Sequence, residues 1–399
     1  MVSRYDRDGV LRDQADDEAG HAPPQVKRLP PAVPDTAKLP ASYWDRWKVP
    51  THVIPNWQSV PNELRQTSTT MTPPPAEPVR WTAEFEPMHG TLIAWPLRSN
   101  DVQDAFCAMV EALQDVGVVY LLYDNESEKS GIIEKLTACG VALTNLVWVP
   151  YPNVPYSRIR DNSEGVFTRD YGPENIFGLN SGSWGIVDNR YFGFVKMNAV
   201  NATLNLTLQA EYFETPLTAE GGNMSSDGMG RVFCTEWILT ENHFMGEEQT
   251  RQTFRDYYGA ELVILPRPPI SEHLDMYAKL VGPETWIVGE WPADDPNTPR
   301  VEEAVRILQG MLTSTGNPYT IYRISQPARL SSGYWRTYTN AYQHNGKVLV
   351  PTYHVPEDAA ALAVYQQALP GWEIIGIDAR GFDHTGGAIH CSTHEIAGH

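Results

Sequence analysis

An α/β body built from repeated modules is the fold class this sequence predicts, and three observations predict it. Short apolar runs of strand length alternate with longer stretches whose apolar residues recur at helical spacing. The alternation returns along most of the chain at irregular intervals. No shift in composition divides the structured part, so the modules are expected around one shared centre.

Residues 1–78 read as a Pro-rich N-terminal leader, and residues 79–399 as one structured domain. The leader is charged and broken by Pro23-Pro24, Pro30-Pro31 and Pro73-Pro74-Pro75, which remove backbone donors and block helices. Trp44, Trp47 and Trp57 give it aromatic anchors for the body. Its first residues, Met1 to Asp8, contain no apolar core, so no secretory signal is visible.

Within the domain, Thr91 to Trp95 is an apolar run closed by Pro96. Asp101 then caps a helix whose Phe106, Met109, Val110 and Leu113 share one face. Val118 to Leu122 is a second strand, Ser127 opens a second helix carrying Ile132, Ile133 and Leu136, and Leu146 to Val149 is a third strand. Residues 176–207, rich in Gly and Asn, read as strand material. Three comparable units follow: helix Glu247 to Tyr258 before strand Leu262 to Leu265, helix Arg300 to Leu312 before Tyr319 to Tyr322, and helix Glu357 to Ala368 before Trp372 to Ile375. Each of these helices starts after Pro or acidic residues, as the helix dipole favours.

Composition narrows the partners. The chain carries 30 basic and 49 acidic side chains, a formal charge of −19, which repels phosphate backbones and argues against nucleic acid. It favours cationic ligands instead. No run of apolar residues reaches the length of a membrane-spanning helix, so no membrane partner is expected. Four scattered cysteines, Cys107, Cys139, Cys234 and Cys391, form no CxxC pair and leave room for one bridge, for instance Cys107 to Cys139.

Five loop stretches carry residues capable of chemistry: Phe167-Thr168-Arg169-Asp170-Tyr171-Gly172-Pro173, Glu220-Gly221-Gly222-Asn223, Glu272-His273-Leu274-Asp275-Met276, Tyr338-Thr339-Asn340-Ala341, and Gly386-Gly387-Ala388-Ile389-His390-Cys391. Taken singly, each has a plainer reading: a capped turn, a glycine turn, a buried His–Asp pair, a small core hydrophobe. His89, His354, His384, His390 and His394 read as surface or supporting residues. Metal-ligand spacing is absent from the sequence, so no metal is expected.

Together the five stretches fit one mechanism. His273 and Asp275, two apart on an extended segment, point to the same side. Two carboxylates facing one pocket repel each other unless a cation lies between them, and the planar guanidinium suits such a pair. Asp170 and Asp275 then clamp a guanidinium while Cys391 attacks its carbon, with His273 lowering the thiol's pKa and moving the protons.

In this order, RDYGP, EGGN with DGMG, HLD, TN before a strand and HC resemble the guanidine-modifying pentein superfamily. Within it the chain is similar to the bacterial-type peptidyl-arginine deiminases and the related agmatine deiminases, from about Ala83 onward. The resemblance implies a five-bladed α/β propeller with the site at its centre. It also implies Cys391 as nucleophile, His273 as general acid/base, Asp170 and Asp275 as guanidinium binders, Asn340 beside the thiol, and no cofactor. The stretches Glu84 to Met88, Thr168 to Pro173, Gly185 to Asp188 and Tyr365 to Gly371 look closer to the peptidyl enzymes, and Gly386 to Cys391 closer to the agmatine enzymes. Phe167 stands where both groups tend to have Trp. Residues 189–196 lack the arginine pair with which the bacterial peptidyl enzyme grips a terminal carboxylate, leaving Arg190 or Lys196 for that place.

The expected activity is therefore hydrolysis of arginine residues in peptides or proteins to citrulline and ammonia. The alternative is agmatine to N-carbamoylputrescine, and a reading of another class is a silent pentein that binds cationic partners. Phe167 and Arg190 are the expected outer substrate contacts.

Overall fold

Each recurring unit begins with an antiparallel pair of short strands and returns through helix to add a third strand in parallel. The computed structural model describes residues 71–96, 100–150, 163–191, 195–198 and 200–398. Most of the expected leader, residues 1–70, thus lies outside the described residues. Its last part is tied to the body: the Thr72 hydroxyl accepts from Glu214 N at 2.8 Å, and its carbonyl accepts from the Tyr257 hydroxyl at 2.6 Å.

In chain order the elements are β1 (Val79–Trp81), β2 (Gly90–Ala94), α1 (Asn100–Leu113), β3 (Val118–Tyr123), α2 (Glu126–Ala138) and β4 (Leu146–Pro150). They continue with α3 (Thr168–Tyr171), β5 (Glu174–Gly178), β6 (Trp184–Arg190), α4 (Val195–Asn198), α5 (Val200–Leu208) and β7 (Glu211–Thr218). Next come β8 (Ser225–Ser226), β9 (Arg231–Thr235), α6 (Trp237–Glu241), α7 (Glu247–Tyr258) and β10 (Glu261–Leu265). The remainder is β11 (Ala278–Gly282), β12 (Thr285–Glu290), α8 (Thr298–Gly310), β13 (Thr320–Ser325), β14 (Tyr342–His344), β15 (Lys347–Thr352), α9 (Asp358–Ala368), β16 (Glu373–Asp378) and β17 (His394–Ile396).

Among the described residues these strands form five sheets, ordered β1-β5-β6-β7, β10-β9-β8, β11-β12-β13, β14-β15-β16 and β17-β2-β3-β4. All five contain the same step. An antiparallel pair (β5/β6, β8/β9, β11/β12, β14/β15, β17/β2) is followed by a parallel neighbour reached through helix. The parallel partners are β7, β10, β13, β16 and β3. In the last sheet the antiparallel partner comes from the far end of the sequence, with His394 opposite Leu92.

Helices form where the apolar spacing calls for them, with small shifts at their ends. The first helix starts at Asn100, placing Asp101 in its first turn. The second is capped by Asn125, whose side chain accepts from Glu128 N, two residues before Ser127. One expectation fails: residues 176–207 are not all strand, because α4 and α5 occupy 195–198 and 200–208. In α5 the apolar residues fall at every second position, a strand-like period, but Val200, Leu204 and Leu208 also fall four apart and form the buried face. Packing of that face with Trp184 and Ile186 of β6 wins over local alternation.

The largest apolar cluster runs from Phe106, Met109 and Leu113 on α1 to Ala388, Ile389 and Cys391. Burial of that cluster, at about 25 cal/mol per Å², is what seats the thiol-bearing turn. Cys107 on α1 pairs with Cys139 just after α2.

Candidate active site

Four chain segments converge on Cys391, and backbone hydrogen bonds tie them to one another. The one-turn helix α3 carries Asp170, and Arg169 N donates to the Cys391 carbonyl at 3.0 Å. Asn340 clamps the thiol-bearing turn from the other side. Its carbonyl accepts from His390 N at 3.1 Å, its Oδ1 accepts from Ala388 N at 2.9 Å and Cys391 N at 3.3 Å, and its Nδ2 donates to Cys391 Sγ at 3.1 Å. The same Nδ2 donates to Asp275 Oδ2 at 3.0 Å. Asp275 is held in turn by Thr339, whose hydroxyl donates to its carbonyl at 3.0 Å.

Asp275 lies in a short 3₁₀ turn, Leu274–Met276, that His273 leads into from extended backbone. The extended i, i+2 argument therefore has the wrong local conformation, yet both side chains face the same point. A Cβ on Gly222 would lie 2.6 Å from His273 Nδ1, 2.9 Å from Asp170 Oδ1 and 3.3 Å from Asp275 Oδ2. Gly222 has no side chain where these three polar groups converge, which is the physical reason for glycine at this place.

The electrostatics follow from burial and crowding of acids. Burial pushes Asp170 up to about 8, against the pull of His273 and with a further push from Glu220 and Asp275. Burial alone would lower His273, but Asp170 and the hydrogen bond to Glu220 outweigh it and raise the imidazole well above its usual range. For Asp275, burial is outweighed by the hydrogen bond and charge of His390, so its carboxyl titrates low. Burial, then Asp275 and Asp170, push the Cys391 thiol well up.

This last result corrects the expectation that His273 lowers the thiol's pKa. Sγ meets Asn340 Nδ2 at 3.1 Å and Asp275 Oδ2 at 3.5 Å, whereas the His273 ring meets Glu220 Oε2 at 2.6 Å through Nε2 and stands 3.6 Å from Asp170 Oδ1 through Nδ1. Burial and two neighbouring carboxylates thus hold the thiol in its protonated form. Asp170 Oδ1 and Asp275 Oδ1 are both buried without a hydrogen-bond partner. Two acceptor oxygens in that state, in one cluster, suit a flat cation with several N–H donors.

Of the sequence-predicted residues, Cys391, Asp275 and Asn340 share direct contacts, and Asp170 joins them through His273 and Gly222. Phe167 is buried, its Cζ lying 3.1 Å from where a Gly387 Cβ would be; Cys391 Sγ is 2.7 Å from the same point. Arg190 is different. It is buried at the end of β6, where its carbonyl accepts from Ala219, and it joins none of the hydrogen bonds just described.

Three residues of the cluster were not singled out from sequence. Glu220 orients His273, and its place before Gly221-Gly222 was the available signal. His390, read among surface or supporting histidines, is buried between Asp275 and Glu84. Glu84 itself forms ion pairs with Lys279 at 2.7 Å and Arg169 at 3.7 Å. His89 and His394 are also buried, while His354 and His384 are exposed.

The family model described as "Porphyromonas-type peptidyl-arginine deiminase" matches residues 80–396. Among curated proteins the chain is 25% identical to the agmatine deiminase of Pseudomonas aeruginosa strain LESB58, over 81% of this chain and 96% of that one. Among solved structures it superposes on an agmatine deiminase of Enterococcus faecalis with a TM-score of 0.69 and 20% identity, covering 80% of this chain and 96% of that one. An agmatine deiminase from C. jejuni gives a TM-score of 0.66 at 19% identity, with 80% and 96% covered. Those two superpositions speak for the fold.

Proposed function

Since the chain belongs to the Porphyromonas-type peptidyl-arginine deiminase family, within the guanidine-modifying pentein superfamily, we propose that it is a cysteine-dependent hydrolase of guanidino C–N bonds whose substrate is agmatine. The observation that carries the guanidinium reading is the pair of unpartnered, buried oxygens, Asp170 Oδ1 and Asp275 Oδ1. Agmatine, rather than the peptidyl-arginine expected first, is supported by the similarity to an agmatine deiminase along nearly that protein's whole length. A formal charge of −19 also favours a small dication. We read the five sheets as five blades, with β17 completing the sheet of β2, β3 and β4.

In this reading Asp170 and Asp275 hold the guanidinium in a fixed plane while its positive charge offsets theirs. Burial, then these two carboxylates, raise the Cys391 thiol; with the carboxylates neutralised it gives up its proton to solvent when substrate is present and resists doing so when it is not. The thiolate Sγ attacks the guanidinium carbon, its negative charge cancelling the substrate's positive one, to form a neutral tetrahedral adduct. His273, held as imidazolium by Asp170 and Glu220, protonates the leaving nitrogen, and the C–N bond breaks to release ammonia. A water then adds to the S-alkylthiouronium carbon and gives its proton to His273. The C–S bond breaks as the adduct's hydroxyl proton passes to Sγ, returning the thiol and a neutral urea that no longer suits the carboxylates.

Ammonia release from agmatine, free arginine and a blocked arginyl peptide decides the substrate. Agmatine should turn over fastest, and Cys391→Ser should abolish the reaction. Release from the peptide with none from agmatine would overturn the agmatine reading in favour of the activity the family description carries. No release from any guanidine by a folded chain would favour a silent binding protein.

A further inference from the structure

His390 precedes the thiol in sequence, yet the mechanism above gives it no step. Its buried ring lies between two carboxylates, with Nδ1 2.8 Å from Asp275 Oδ2 and Nε2 2.6 Å from Glu84 Oε2. Glu84 is braced from its other oxygen, which accepts from Lys279 Nζ at 2.7 Å and Gln343 N at 2.7 Å. Arg169 completes the surroundings, 3.7 Å from Glu84 and 2.8 Å from Glu395.

Both ring nitrogens are engaged, so the trio Asp275, His390 and Glu84 is held at each joint. The consequence for Asp275 is specific. His390, Asn340 and the Cys391 thiol all converge on Oδ2, at 2.8, 3.0 and 3.5 Å, while Oδ1 has no partner. A carboxylate free to rotate would bring Oδ1 onto one of these donors. Pinning Oδ2 prevents that.

We propose that His390 is a positioning residue: it holds Asp275 by Oδ2 so that Oδ1 stays presented to a guanidinium, and Glu84 with Lys279 is the strut that holds His390. This rests on the guanidinium reading of the site. It also separates two substitutions that are alike in volume. An Asn side chain places its amide nitrogen near the Nδ1 position of His, and a Gln side chain near Nε2. His390→Asn can therefore still reach Asp275, and His390→Gln cannot.

The test uses the full chain and two probes of nearly the same shape, 2-chloroacetamidine, a planar cation, and neutral 2-chloroacetamide. With either, Sγ of Cys391 displaces chloride, a C–S bond replaces C–Cl, and the thiol proton goes to solvent. The ratio of the two rates reads carboxylate presentation without needing turnover. His390→Gln should lower that ratio about tenfold or more, the range for losing a hydrogen bond to a charged group, while His390→Asn should stay within about threefold of the native chain. Glu84→Gln, which keeps the side-chain shape and removes the strut's charge, should lower it about threefold.

Equal loss in the Asn and Gln variants would make His390 a packing residue and overturn the proposal, and so would an unchanged ratio in both. The 2-chloroacetamide rate and the thermal midpoint show whether each variant folds. If neither His390 variant does, Glu84→Gln decides alone, and an unchanged ratio there overturns the proposal. A native chain with no preference for the amidinium would sink the guanidinium reading itself. A native preference that survives both His390 changes would sink only the positioning role.

Discussion

Replacing Asp275 by Asn should move thiol reactivity and turnover in opposite directions. Asp275 Oδ2 is 3.5 Å from Cys391 Sγ, and its charge opposes formation of the thiolate. At that separation two unit charges interact by about 1.2 kcal/mol at the dielectric of water and about 4.7 kcal/mol at an effective dielectric of 20. Removing the carboxylate charge should thus raise the thiolate population at a fixed pH by about sevenfold to about three thousandfold. Nucleophilicity falls with basicity by a Brønsted factor of about 0.4–0.5, which compresses the gain in rate to about threefold to about eightyfold. Asn keeps the shape, and the Asn340 contact to Sγ survives. The assay is alkylation by neutral iodoacetamide at pH 8, followed on the Cys391 peptide by mass spectrometry so that buried Cys234 does not contribute. Deimination by the same variant should fall by about a hundredfold or more, since one arm of the guanidinium clamp is gone. An alkylation rate that is unchanged or lower in the folded variant would refute the electrostatic account of the thiol.

Other outcomes follow from the same geometry. Glu220→Gln removes the charge 2.6 Å from His273 Nε2, and kcat should drop by about 10²–10⁴-fold, the usual worth of a positioned acid/base; a loss under fivefold would mean that Glu220 does not support His273. Gly222→Ala would drive a methyl against His273, Asp170 and Asp275, so turnover should vanish while the circular dichroism spectrum is kept; an active Ala variant would show that the three groups have room to separate. Burial, then Glu395, push Glu174 up to about 8, so the folded chain holds a proton that the unfolded chain releases near pH 4. Stability from this group is fully present below about pH 4 and is lost as pH rises toward 8. Glu174→Gln should therefore raise the denaturation midpoint at pH 8, by an amount worth on the order of a few kcal/mol, and change it little at pH 4.5; a shift of equal size at both values would be the contrary result.

Asp170, Asp275, Asn340 and Cys391 were legible because each sits in a short stretch with a local signature: Gly-Pro after the first, His two before the second, a following strand after the third, a glycine pair before the last. His390 shares the stretch of Cys391, but nothing local marks its partners. Its partner Glu84 is 306 residues away in sequence, and only the fold makes them neighbours. Glu220 looked like the start of a glycine turn, which it is, and its second role depends on a histidine 53 residues later. For the fold, helices with strong caps and one-sided apolar faces were readable to within a turn, as Glu247–Tyr258 was at both ends. The helix Val200–Leu208 was not, because its apolar residues satisfy a strand period and a helix period together, and only packing chooses between them.

The pairing of β17 with β2 also bears on how the protein comes into being. Leu92 and His394 are opposite one another, and the cluster linked to the thiol draws on Glu84, Asp170, Glu220, His273, Asp275, Asn340 and Cys391, nearly the whole span of the described chain. A ribosome delivers the carboxylates and the histidine long before it delivers the sulfur. Until then β2 has an open edge and the acids face one another without their nucleophile. A nascent chain halted before residue 391 therefore carries these carboxylates and the histidine without the sulfur they surround.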